Sequence, residues 1–122
     1  MTINEVITEV DELRPNQIPD EIKVRWISVL EGKIIDEIIL THELSEVLEF
    51  NGYSIDDMDT ELLVPDTYAD VYKYYVRAMV DETNAEGARY KSSMELFNSA
   101  WQDFANYYNR NNKPIQKEAK FF

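Results

Sequence analysis

The chain has 122 residues, a formal net charge of −12, three glycines, four prolines and no cysteine. That length suits one domain with a core of its own, and the scarcity of breakers favours helix. The missing cysteines exclude disulfides, thiolate metal sites and cysteine nucleophiles, and fit a reducing compartment.

No secretory leader is expected, because Glu5 and Glu9 stand where a basic n-region belongs. No apolar run nears the roughly 20 residues of a membrane helix. The charge is uneven. Residues 1–66 hold 17 acids against 4 bases, and residues 67–122 hold 7 against 8. Tight nucleic-acid binding needs a basic surface, so such a body is expected to repel DNA, mimic it or simply stay soluble.

Thr2 is a good N-cap, and Glu5 completes a capping box. Ile3, Val6, Ile7, Val10 and Leu13 then form an apolar stripe, with Arg14 at the negative end of the helix dipole and Pro15 as the stop. A second helix opens at Pro19, with Asp20 and Glu21 in its first turn. Its expected buried face is Ile22, Trp26, Val29, Leu30, Ile34 and Ile38, and its end lies near Leu40. Gly32 costs about 1 kcal/mol relative to alanine in a helix interior; it either permits a close helix approach or is only tolerated.

Residues 41–65 break the helical rhythm. They contain the turn signal Asn51-Gly52 and seven acids with no lysine or arginine. Leu44, Val47, Leu48 and Phe50 suit a short helix or strand, and Leu62 to Val64 suit a short strand. Long connections in small domains are often functional. The third helix is expected to start with Asp66 as N-cap. Tyr68, Val71, Tyr72, Tyr75 and Met79 face inward, while Lys73, Arg77 and Asp81 point elsewhere. Asn84 to Gly87 supplies a break. The fourth helix runs from about Ala88 to Tyr108, with Tyr90, Met94, Phe97, Trp101, Phe104 and Tyr108 on one face. Pro114 prevents its continuation.

These elements predict an all-α fold, a small antiparallel bundle of about four helices with a long acidic loop between the second and third. Residues 1–112 form the helical domain, and residues 113–122 a flexible tail.

No catalytic constellation is visible. His42 is the single histidine, so a serine triad would have to use it; it is expected to be an exposed loop residue. Asp56, Asp57, Asp59 and Glu61 offer hard oxygen ligands, but the glycine and terminal glutamate of an EF-hand loop are missing. Glu43 and Glu46, like Asp56 and Asp59, stand three apart, as paired acids do in small helical nucleotide pyrophosphohydrolases. No matching basic phosphate-binding set follows, and no glycine-rich phosphate loop exists. The expectation is a non-enzyme without metal or cofactor. Tyr72, Tyr75, Phe97, Trp101 and Phe104 fit a core; Tyr74 and Tyr107 fall off the main stripes, as interface tyrosines do.

Three blocks carry a resemblance. Residues 14–34 read RPNQIPDEIKVRWISVLEGKI, residues 63–75 LVPDTYADVYKYY, and residues 89–101 RYKSSMELFNSAW, followed by Phe104 and Tyr107-Tyr108-Asn109-Arg110. In this order they resemble the head–tail connector proteins of long-tailed phages, the first block through a pattern RPN…D…K.RW…LEG.I. The resemblance implies a helical, non-enzymatic virion protein. Such a protein would form a ring beneath the portal, extend the DNA channel and dock the tail. It would sit in the virion neck, and in the host cytoplasm during assembly. Its partners would be the portal protein, a tail-side neck or tail-completion protein, and further copies of itself, with DNA passing through unbound and no membrane involved. Acidic or neutral channel walls would let DNA slide.

The expected partner interface combines the acidic loop with the basic tail and the off-stripe positions. It comprises Glu43, Glu46, Glu49, Asp56, Asp57, Asp59, Glu61, Tyr74, Tyr107, Arg110, Lys113, Lys117, Lys120, Phe121 and Phe122. The charge alone supports a second expectation, an acidic DNA mimic or inhibitor that occupies a basic groove on a host protein.

Overall fold

Thr2 caps the first helix as its sequence requires: its hydroxyl accepts from the Glu5 amide, and the Glu5 carboxylate accepts from the Thr2 amide. From there the computed structural model describes residues 1–42 and 49–112. It is all-helical, with α1 Ile3–Leu13, α2 Asp20–Glu37, α3 Asp70–Thr83 and α4 Gly87–Asn111. Short 3-10 turns lie at Ile39–Thr41, Ile55–Asp57 and Asp66–Tyr68. Among the described residues there is no strand; Thr2 and Glu61 form an antiparallel bridge outside any strand. No helix there is long and apolar enough to cross a membrane.

Helix α3 is the centre. It packs against α1, α2 and α4, so Val71, Tyr72, Val76, Ala78, Val80 and Asp81 are all buried. A helix enclosed by three others loses its polar face. That is why Asp81, expected to point outward, lies fully inside. α3 and α4 form an antiparallel hairpin whose turn is a Schellman motif: the Ala85 amide donates to the Glu82 carbonyl and the Glu86 amide to the Asp81 carbonyl. The left-handed position is Ala85, at φ +58°.

Several boundaries and faces differ from expectation, and α4 runs past Tyr108 to Asn111. Leu13 is 60% exposed, because the inward position after Val10 falls to Arg14, which reaches Asp81 at 3.0 Å. On α2 the buried residues are Val24, Ile27, Leu30, Glu31, Ile34 and Ile35, with Lys23. Val29 is 48% exposed, and Ile22 and Trp26 are only half-buried. This helix is apolar on two faces, and its neighbours α1 and α3 decide which one turns inward. α3 starts at Asp70 rather than after Asp66; the Asp66 carboxylate pairs with the Met1 amine instead of capping its own helix.

Residues 51–64, ahead of α3, are tied down rather than splayed. Leu62 and Val64 are buried with Leu63 between them exposed, the alternation of an extended chain. The Leu62 amide donates to the Met1 carbonyl, and the Asn4 amide to the Met58 carbonyl. Gly52 has φ +91°, and a Cβ there would stand 3.0 Å from the Ser28 hydroxyl, which itself accepts from the Tyr53 amide. Asn51-Gly52 is thus a turn that side chains would obstruct. A Cβ on Gly32 would meet only the Phe50 ring, at 3.9 Å. That is ordinary contact, so Gly32 is tolerated rather than needed for a close helix approach.

Candidate partner interface

Several buried polar residues that sequence periodicity missed tie the elements together. Glu31 lies on the buried side of α2, fully enclosed. Its carboxylate accepts from the Tyr72 hydroxyl at 2.5 Å, the Tyr53 hydroxyl at 3.0 Å and the Leu63 amide at 3.0 Å. The Tyr72 hydroxyl also accepts from the Val64 amide. Burial, then the Glu31 charge, pushes both phenols above their ordinary pKa. This hub fastens the connection 49–64 onto α2 and α3.

A second cluster joins α1, α3 and α4. Asp81 accepts from Arg14 and, at 2.7 Å, from the buried Ser93 hydroxyl, which accepts in turn from Arg77. A third shapes the α1–α2 turn. Asn16 donates to Asp11 and to the Arg14 carbonyl and accepts from the Ile18 amide; the buried Lys23 ammonium reaches Asp11 at 2.8 Å. A charged group is tolerated inside only when it is paired in this way.

His42 is also buried, contrary to expectation. Its Nδ1 lies 2.5 Å from the Ile38 carbonyl oxygen and its Nε2 2.6 Å from the Asn109 side-chain oxygen, with the ring edge on Tyr108. The 3-10 turn after α2 folds it against the last turns of α4.

The expected interface residues separate into groups. Glu43, Glu46, Lys113, Lys117, Lys120, Phe121 and Phe122 lie outside the described residues. Glu49, Asp56, Asp59 and Glu61 are exposed, and Glu61 pairs with the Met1 amine at 2.8 Å. Asp57 is structural, since it accepts from the Ser54 amide at 2.7 Å and completes a capping box. Arg110 is exposed on the last turn of α4. Among the described residues no group of three or more acids or histidines is arranged to hold a metal ion.

Tyr107 packs on Tyr68 with ring centroids 4.5 Å apart. Tyr68 and Tyr74 then line a cleft of about 260 Å³ between the start of α3 and the middle of α4, with Asp70, Leu96, Ala100 and Asp103. Arg77 sits over the Tyr74 ring at 5.2 Å, and Lys73 bridges Asp70 and Glu9 at 2.7 and 3.2 Å. A second groove, about 250 Å³ and more apolar, runs between α2 and α4 past Leu30, Tyr75, Met94, Phe97 and Trp101. Tyr72 and Phe104 are fully buried as expected of core, whereas Tyr75, Phe97 and Trp101 are half-buried at its rim. Along α4 only Ser93 and Phe104 are fully enclosed, so one long flank of this 25-residue helix stays available.

No family model, no curated protein and no solved structure matches the chain.

Proposed function

We propose that this chain is a structural virion protein that forms a ring joining the portal of a phage head to the tail and extends the DNA channel. The reading rests on the ordered resemblance of residues 14–34, 63–75 and 89–101 to head–tail connectors. One observation supports it most. Several residues of those blocks take part in the fold's internal polar contacts, together with Asp11, Tyr53, Arg77 and Asp81 outside them. Arg14, Asn16, Lys23 and Glu31 come from the first block, Tyr72 and the backbone amides of Leu63 and Val64 from the second, and Ser93 from the third. Polar residues that must pair inside a core are hard to arrive at by composition alone.

On this reading the protein is not an enzyme, and its work is contact. Portal protein meets one end of the ring and a tail-side neck or tail-completion protein the other. Heterologous contacts between copies close the ring, with the exposed flank of α4 available for them. The isolated chain is a monomer that closes into a ring on the portal template. DNA passes through an acidic or neutral channel without specific binding. The protein resides in the virion neck, and in the host cytoplasm while particles assemble.

Incubation with purified portal rings tests this. The expected result is a stoichiometric ring on one face of the portal in electron micrographs, with no ring when the portal is omitted. Stoichiometric capture of a nucleic-acid-binding host protein, with no binding to portal, would instead support an acidic inhibitor.

A further inference from the structure

The cleft between α3 and α4 is built for a cation beside an apolar group. Asp103 and Asp70 stand at its walls; Asp70 also pairs with Lys73 at 2.7 Å, and the lining itself holds no lysine or arginine. The half-buried Tyr68 and Tyr74 offer ring surface, and Leu96 is 42% exposed. Arg77 on the Tyr74 ring shows that this wall already accepts a guanidinium. The chain carries one segment of matching chemistry. Residues 110–122 hold Arg110, Lys113, Lys117 and Lys120 against Glu118 and end in Phe121-Phe122, a net of +3 on a chain whose other residues sum to −15.

Reach agrees with charge. Leu96 to Asp103 precede the end of α4 at Asn111 by eight to fifteen residues, about 12–23 Å along the axis. Ten extended residues span up to about 33–36 Å. A segment tethered this closely has an effective concentration on the order of millimolar, which a second copy does not match in dilute solution. We propose that residues 113–122 dock in the cleft between α3 and α4 of the same molecule, with lysine against Asp70 and Asp103 and the terminal phenylalanines on Leu96 and the tyrosine rings. The docked end is then withheld from other proteins until a more acidic surface displaces it. The proposal does not depend on the connector reading.

The chain has no cysteine, so an Ala119→Cys variant of the full chain takes a single nitroxide label. Paramagnetic broadening of the backbone amides is then read in the isotope-labelled protein. Amides 96–103 and 68–74 should broaden strongly. The effect should fall by about threefold or more in Leu96→Lys, in Asp70→Asn with Asp103→Asn, and in about 0.5 M salt. Leu96 is exposed, so its variant keeps the fold, and circular dichroism verifies this for both. Broadening of the cleft no stronger than that of the opposite α2 surface would overturn the proposal. So would broadening that survives undiminished in both variants. A mixed sample, with the nitroxide only on unlabelled copies, should show no cleft broadening; equal broadening there assigns the cleft to a second copy and overturns docking within one molecule.

Discussion

At the scale of single residues, Glu31 does the most to hold the segment 49–64 against the helices. Three donors converge on one enclosed carboxylate, so a glutamine cannot replace it: its amide group would face donors with donors. Glu31→Gln is expected to lose about 2–3 kcal/mol of stability. Hydrogen exchange should quicken first at residues 52–64, which a denaturant titration combined with exchange mass spectrometry would reveal. The two phenols on the hub make a second prediction. Their folded pKa values lie above the ordinary one of about 10, so the neutral forms are favoured by folding. Their contribution to stability is complete below about pH 10 and is lost as pH rises past that value toward the raised ones. An alkaline titration should show Tyr53 and Tyr72 ionising only together with loss of helical dichroism. All eight tyrosines titrating in one step near pH 10, with the helices intact, would contradict this.

At the scale of elements, the α3–α4 turn carries a removable strain. Ala85 occupies the left-handed position of the Schellman motif, where glycine is the usual residue. Ala85→Gly should therefore stabilise the chain by about 0.5–1 kcal/mol and raise Tm by roughly 2–5 °C, measured by thermal unfolding. The same elements show what could be read from the chain beforehand. Capping at Thr2, the stop at Pro15, the break after Asn84 and the all-α class all follow from local chemistry. Local chemistry stops being decisive where a helix has neighbours on several sides. Periodicity marks a stripe but not which of two stripes on α2 turns inward, so it puts Val29 inside and gives Glu31 no place there. Glu31 stands four residues after Ile27 and four before Ile35, on the buried line, and that spacing was its one available signal. Asp81 and His42 had none, because their burial depends on Arg14, Ser93 and Asn109, at least 12 residues distant in sequence. The acidic composition of 41–65 is legible, but not that residues 53–63 are clasped by the first residues of the chain and by Glu31.

At the scale of the whole molecule, the structure is a helical body with acid over much of its first half. α3 is enclosed at its centre, and α4 is held chiefly along one side. A core of this kind explains folding of one chain, whereas the open flank of α4 and its two clefts leave surface for further contacts. The connector account assigns that surface to neighbouring copies and to the portal and tail proteins. It is tested most directly by electron micrographs of tailed particles carrying a gold-conjugated antibody against this chain. The account predicts label confined to the neck, between the DNA-filled head and the tail. Label that is absent from purified particles, or spread over the head or tail fibres, would contradict it.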